Sequence, residues 1–150
     1  MPSGQLSSKG FEVDHYGSFK FNFKGPVIAQ NIYPRHKAGQ KTLLWTYADL
    51  WSRFYFNVHE AGEIVLTTLV TGAPEPGMIR STRVSLDGEG VVPIVTETDE
   101  GGFRLQVRKR TKGGSIALGV FTPSPRQRLY RNADWFGIEI EGFEFRLCRT

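Results

Sequence analysis

The feature that most constrains this chain is a period of two. Short runs in which apolar and polar side chains alternate recur along its length, each closed by glycine, proline or a charged turn. Alternation at that period places every second side chain on one face of an extended strand. Phe11 and Val13 alternate with Glu12 and Asp14; after Gly17-Ser18, Phe19, Phe21 and Phe23 alternate with Lys20, Asn22 and Lys24. The pattern predicts a hairpin with one apolar face. With 17 glycines and 8 prolines spaced through 150 residues, the expectation is an all-β domain: an antiparallel β-sandwich or distorted barrel of about ten strands.

Later segments extend the ladder. Val27 to Tyr33 reads as a third strand, closed by a loop over Pro34–Gly39. Residues 42–58 carry two periods at once. Leu43, Leu44, Tyr47, Leu50, Trp51, Phe54 and Val58 fit helical spacing, whereas Phe54, Phe56 and Val58 alternate. Strands are favoured, because aromatic residues suit a pleated surface. Residues 54–58 and 64–70 are expected to pair as a hairpin around Ala61-Gly62. Ala73–Gly77 reads as a loop, and Met78–Leu86 with Val91–Thr98 as a hairpin turning on Asp87-Gly88, with Pro93 marking an edge or bulge. Strands follow at Phe103–Arg108, Ser115–Thr122 and Trp135–Leu147. The last changes apolar parity across Gly142, which predicts a bulge or tight turn. Residues 10–150 are read as one domain behind an N-terminal arm, residues 1–9.

Charge is segregated. The whole chain carries +4, but Gly101–Ala133 holds eight basic residues (Arg104, Arg108, Lys109, Arg110, Lys112, Arg126, Arg128 and Arg131) and no acid. The remainder is therefore −4. Arg108, Lys109, Arg110, Lys112, Arg126 and Arg128 are candidates for contact with an anion or a protein partner. The competing reading leaves Arg104 and Arg108 on the outer face of a strand, paired with Glu139, Glu141 and Glu144 of a neighbour. A basic hairpin tip at Arg108–Lys112 is the part that strand pairing explains least. Nucleic-acid binding is not expected, because few aromatics interleave with these cations and no zinc-finger, RNP-like or helix-turn-helix pattern occurs.

Catalytic and metal chemistry find little support. Cys148 is the sole cysteine, which excludes an internal disulfide and a multi-thiolate zinc site. His15, His36 and His59 lack metal-ligand spacing, and no Gly-x-Ser-x-Gly elbow or phosphate-cradling loop is present. No metal or cofactor is expected. A small β-fold enzyme would need one of these histidines to converge with a carboxylate. No signal peptide and no apolar run of about eighteen residues occur, and a cytoplasmic or virion location is expected. Trp45, Trp51 and Trp135 offer a further possibility, sugar stacking on a sandwich face, against the ordinary use of such residues in a core.

The opening Gly10-Phe-Glu-Val13 and Gly17-Ser-Phe-Lys-Phe21, echoed by Gly137-Ile-Glu-Ile140 and Gly142-Phe-Glu-Phe145, resemble short β-rich phage and prophage tail accessory proteins. That resemblance implies a non-enzymatic virion structural or assembly protein, working as a homo-oligomer or larger assembly through contacts with other protein subunits. A carbohydrate-binding β-sandwich module using exposed Trp and Tyr is the alternative.

Overall fold

The computed structural model describes residues 10–124 and 135–150. The N-terminal arm, along with Arg126, Arg128 and Arg131, lies outside the described residues. Two sheets pack face to face as an antiparallel-rich β-sandwich. Among the described residues there are thirteen strands: β1 (Phe11–Val13), β2 (Gly17–Asn22), β3 (Ala29–Gln30), β4 (His36–Ala38), β5 (Lys41–Tyr47), β6 (Trp51–Val58), β7 (Gly62–Gly72), β8 (Arg83–Leu86), β9 (Glu89–Val91), β10 (Ile94–Glu97), β11 (Phe103–Thr111), β12 (Gly114–Phe121) and β13 (Phe136–Cys148). One short helix, α1 (Gly77–Arg80), interrupts them.

The first sheet runs β1-β6-β12-β8-β9, with β3 also on β6; the second runs β10-β11-β7-β13-β5-β4, with β2 also on β13. The opening strands do not form a hairpin. β1 pairs in parallel with β6 and β2 pairs antiparallel with β13, so one joins each sheet. The apolar period is satisfied either way, because the faces of β1 and β2 meet across the sandwich instead of lying side by side. The same correction applies to residues 54–70: β6 and β7 are consecutive but belong to opposite sheets. Residues 42–58 are extended, as expected, and are cut by a turn at Asp49, which has a positive φ of 62°.

The expected loop at Pro34–Gly39 contains β4, paired with β5. The third strand shrinks to β3 plus a bridge from Ile32 to Thr46. Asp87 and Gly88 both take positive φ, 52° and 81°, as a two-residue hairpin turn requires, and β8 and β9 pair around them. Met78–Ser81 is helix and turn rather than strand. Pro93 stands where the chain leaves the first sheet at β9 and enters the second at β10.

The core is the inner face of both sheets. Phe23, Phe54, Phe56, Phe143 and Phe145 are fully buried, together with Leu44, Leu66, Leu86, Leu118, Ile138 and Ile140. Each such side chain contributes about 1.5–3 kcal/mol by leaving water. Phe143 is the hub, with ring centroids 5.1–5.8 Å from those of Phe54, Phe56, Phe11 and Phe23.

β13 is the longest strand, and its pairing is irregular at three places, one of them a slip against β7 between Glu139 and Ile140. Against β7, the alignment slips between Ile140 and Gly142, which accounts for the parity change. A Cβ on Gly142 would stand 2.2 Å from the Phe21 carbonyl oxygen, so only glycine lets β2 approach there. Against β5, the alignment slips between Phe136 and Glu139. This bulge leaves Ile138 and Ile140 in the core and turns Phe136 onto the outer face, opposite Tyr47.

Candidate functional site

The outward positions of β5 alternate with its buried Leu44 and Thr46. Trp45 and Tyr47 therefore stand on the outer surface of the second sheet, each half-buried. The β13 bulge brings Phe136 beside them. The segment before β4 adds Tyr33, whose backbone N–H donates to the Trp45 carbonyl oxygen at 3.0 Å. The four rings form one continuous platform. Tyr33 lies 4.6 Å from Tyr47 and 4.4 Å from Phe136, and Trp45 lies 5.2 Å from Phe136, with interplanar angles of 42–49°. Trp135, next in the chain to Phe136, is 52% exposed.

Polar groups border this platform. Glu139 faces Trp45 on the neighbouring strand. One carboxylate oxygen lies 2.8 Å from His36 Nε2, and the other accepts from the Thr71 hydroxyl at 2.7 Å. Apolar ring faces with a few fixed hydrogen-bonding groups at their border match the general make-up of a small-ligand site. The C–H-rich face of a pyranose can lie on such rings while its hydroxyls bond to the border.

The three tryptophans divide between the sheets. Trp45 belongs to the platform and Trp135 adjoins Phe136. Trp51 sits on the outer face of the first sheet, 5.4 Å from Phe121, and packs so closely over Gly119 that a Cβ there would meet its ring at 3.0 Å. The alternation in Leu43-Leu-Trp-Thr-Tyr47 was the available signal for the platform. Tyr33 and Phe136 carry no such signal, because their place depends on a bridge and a bulge. The mark of that bulge is Gly137, where a Cβ would lie 2.4 Å from Thr46 Oγ1 and 2.7 Å from the Tyr47 carbonyl oxygen.

Of the five described cations in the basic segment, three are paired within the fold. Arg104 bonds to Glu144, reaching diagonally over β7, and Gln106 donates to the Thr67 hydroxyl beside it. This cover is why Thr67, on an outer face, is only 3% exposed. Arg108 lies 3.5 Å from Glu63. Lys109 spans the two sheets, donating to the Leu86 carbonyl oxygen at 3.2 Å and pairing with Glu89 at 3.1 Å. Arg108–Lys112 is not a hairpin tip, because β11 and β12 lie in opposite sheets and the chain crosses between them there. Arg110 and Lys112 are exposed. Glu139 and Glu141 face other partners, His36 and Lys41.

The histidines do not form one centre. His36 pairs with Glu139, His59 with Glu12 at 2.8 Å, and His15 with Asp14 at 2.6 Å. The His15 hydrogen bond holds the exposed Asp14 carboxyl below its usual range. Among the described residues no group of three or more His, Cys, Asp or Glu side chains is placed to hold a metal ion.

No protein-family model matches the chain. No curated protein matches it either. Among solved structures, the native family 35 carbohydrate-binding module from Clostridium thermocellum is similar, with a TM-score of 0.54 and 9% identity over 87% of this chain and 98% of that one. At this identity the likeness shows the fold. Family 35 modules from Cellvibrio japonicus Abf62 and from Paenibacillus barcinonensis align over 91% and 88% of this chain and 89% and 94% of their own, at 8% and 9% identity. Their TM-scores are 0.39 and 0.41.

These findings overturn the resemblance to phage tail proteins and the virion assembly role drawn from it. The residues that carry the resemblance do not form two matching units. They are instead a strand in each sheet at one end of the chain and one long bulged strand at the other. The expected oligomer of protein subunits falls with it: the fold is shared with a family 35 carbohydrate-binding module, and three of the five described cations offered as partner contacts or strand charges are paired within the chain.

Proposed function

We propose that this chain is a non-catalytic carbohydrate-binding module that seats a sugar ring on the Tyr33–Trp45–Tyr47–Phe136 platform. The observation that carries this reading is the platform itself: four aromatic rings from three separate segments, joined on an outer sheet face where core packing does not demand them. Half-buried rings of this kind, gathered on an outer face and bordered by polar side chains, mark binding surfaces. Glu139 supplies the hydroxyl acceptor, already held in place by His36 and Thr71. The shared fold of the Clostridium thermocellum module gives support at the level of architecture.

Binding without chemistry fits the carboxylates. Glu139 is committed to two partners, and a hydrolytic site needs a second carboxyl across the scissile bond. The test is a glycan array on the pure protein, followed by titration of the best hit against the wild type and Trp45→Ala. A saturable hit weakened by the substitution supports the reading. An array without signal above background, or a hit that Trp45→Ala binds equally well, overturns it.

A further inference from the structure

A cleft among the described residues lies apart from the platform. It has a volume of about 690 Å³, opens at the β4–β5 edge, and is lined by Phe23, Lys24, Arg35, Lys37, Gln40 and Thr42 among others. Its chemistry is one-sided, since three permanent cations line it and no carboxylate does. We propose that this cleft is a second binding site, separate from the platform, for the oxyanion group of a ligand, a carboxylate or a sulfate.

The argument rests on Arg35. Its Nη1 donates to the carbonyl oxygens of Phe23 and Gly25, both at 2.6 Å, which uses both Nη1 hydrogens. Neutral carbonyls fix the guanidinium in position without cancelling its charge. Of its five N–H donors, the Nε and Nη2 hydrogens have no partner among the described residues. They form the edge of the planar fork that takes a carboxylate or sulfate through two parallel hydrogen bonds. The Lys24 and Lys37 ammonium groups likewise make no ion pair among the described residues, so they add positive potential to the same space.

The surrounding charges keep out of the way. His36 contributes to the cleft wall, but its Nε2 is turned to Glu139. Lys41 is occupied by Glu141 at 3.4 Å. Phe23 is fully buried, so its backbone, which Arg35 grips, belongs to the rigid core. The oxyanion site is thus preorganised on its arginine side and adjustable on its lysine side.

The experiment is an NMR titration of the ¹⁵N-labelled full chain at low ionic strength with sodium sulfate, sodium glucuronate and, as neutral control, glucose. Saturable shifts confined to residues 23–25 and 35–42 with either anion and absent with glucose support the proposal, and the tighter anion identifies the group. The Lys24→Ala/Lys37→Ala variant, altered only at exposed positions, is expected to bind about tenfold more weakly. Arg35→Lys keeps the charge but loses the fork, and is expected to weaken binding as well. Shifts that do not saturate, that glucose reproduces, or that persist unchanged in the double lysine variant overturn it. Trp45→Ala leaves the titration unchanged, so failure of the platform and failure of this cleft are read separately.

Discussion

Phe11 and Phe21 hold their ring centroids 4.8 Å apart although they stand in different sheets. Nine residues of chain lie between them, and the turn carries the backbone from one layer of the sandwich to the other. The contact closes the end of an aromatic core whose centre is Phe143. Replacing Phe143 by Ala removes edge and face contacts to Phe11, Phe23, Phe54 and Phe56 at once. The expected loss is about 3–5 kcal/mol of unfolding free energy, measured by urea denaturation followed through tryptophan fluorescence. A loss under about 1 kcal/mol would mean that the core is not organised around this ring.

The bulge at Gly142 makes a sharper demand. Gly142→Ala forces a Cβ against the Phe21 carbonyl oxygen, so β2 must move away from β13, at an expected cost of about 1–3 kcal/mol. Gly72→Ala is the control, since nothing lies within 4 Å of a Cβ there. It should change stability by less than about 0.5 kcal/mol. Equal effects at the two positions would contradict the bulge geometry.

Arg104 and Glu144 are both about one-third exposed. A double-mutant cycle with Arg104→Ala and Glu144→Ala should give a coupling energy of about 0.2–1 kcal/mol at low salt, falling as ionic strength rises. Zero coupling at low salt would leave the basic face unneutralised at this point.

His15 lowers the carboxyl pKa of Asp14 through their hydrogen bond. Because the folded value lies below the unfolded one, the pair stabilises the fold above the ordinary carboxylate range, near pH 4, and that contribution is lost as pH falls through the folded value. In His15→Ala the Asp14 carboxyl should titrate at higher pH, read from its Cγ chemical shift. An unchanged midpoint would show that the hydrogen bond is not formed in solution.

Among the tryptophans, the platform predicts a split. Trp45→Ala should weaken binding of a glycan hit by about tenfold, as expected for a central aromatic anchor. Trp51→Ala, on the other sheet, should leave that affinity unchanged while lowering stability. Calorimetry on both variants decides it, and the reverse pattern would move the site to the first sheet.

The sequence by itself determined that the chain is all-β, which residues form most of the strands, and which side chains of several strands point inward. Phe54, Phe56 and Val58, or Phe143, Phe145 and Leu147, could be assigned to a core because the side-chain period of a strand is local and exact. Asp87-Gly88 was legible for the same reason, since its turn conformation is decided by two residues. Only the tertiary structure decided which sheet each strand enters. Ladder hydrogen bonds are made by backbone groups that every residue carries, so alternation records a face but not a partner. That is why β1 and β2 read as a hairpin and stand in opposite layers. It is also why the platform stayed hidden: Tyr33, Trp45, Tyr47 and Phe136 meet only through non-local pairing and a bulge that turns Phe136 outward.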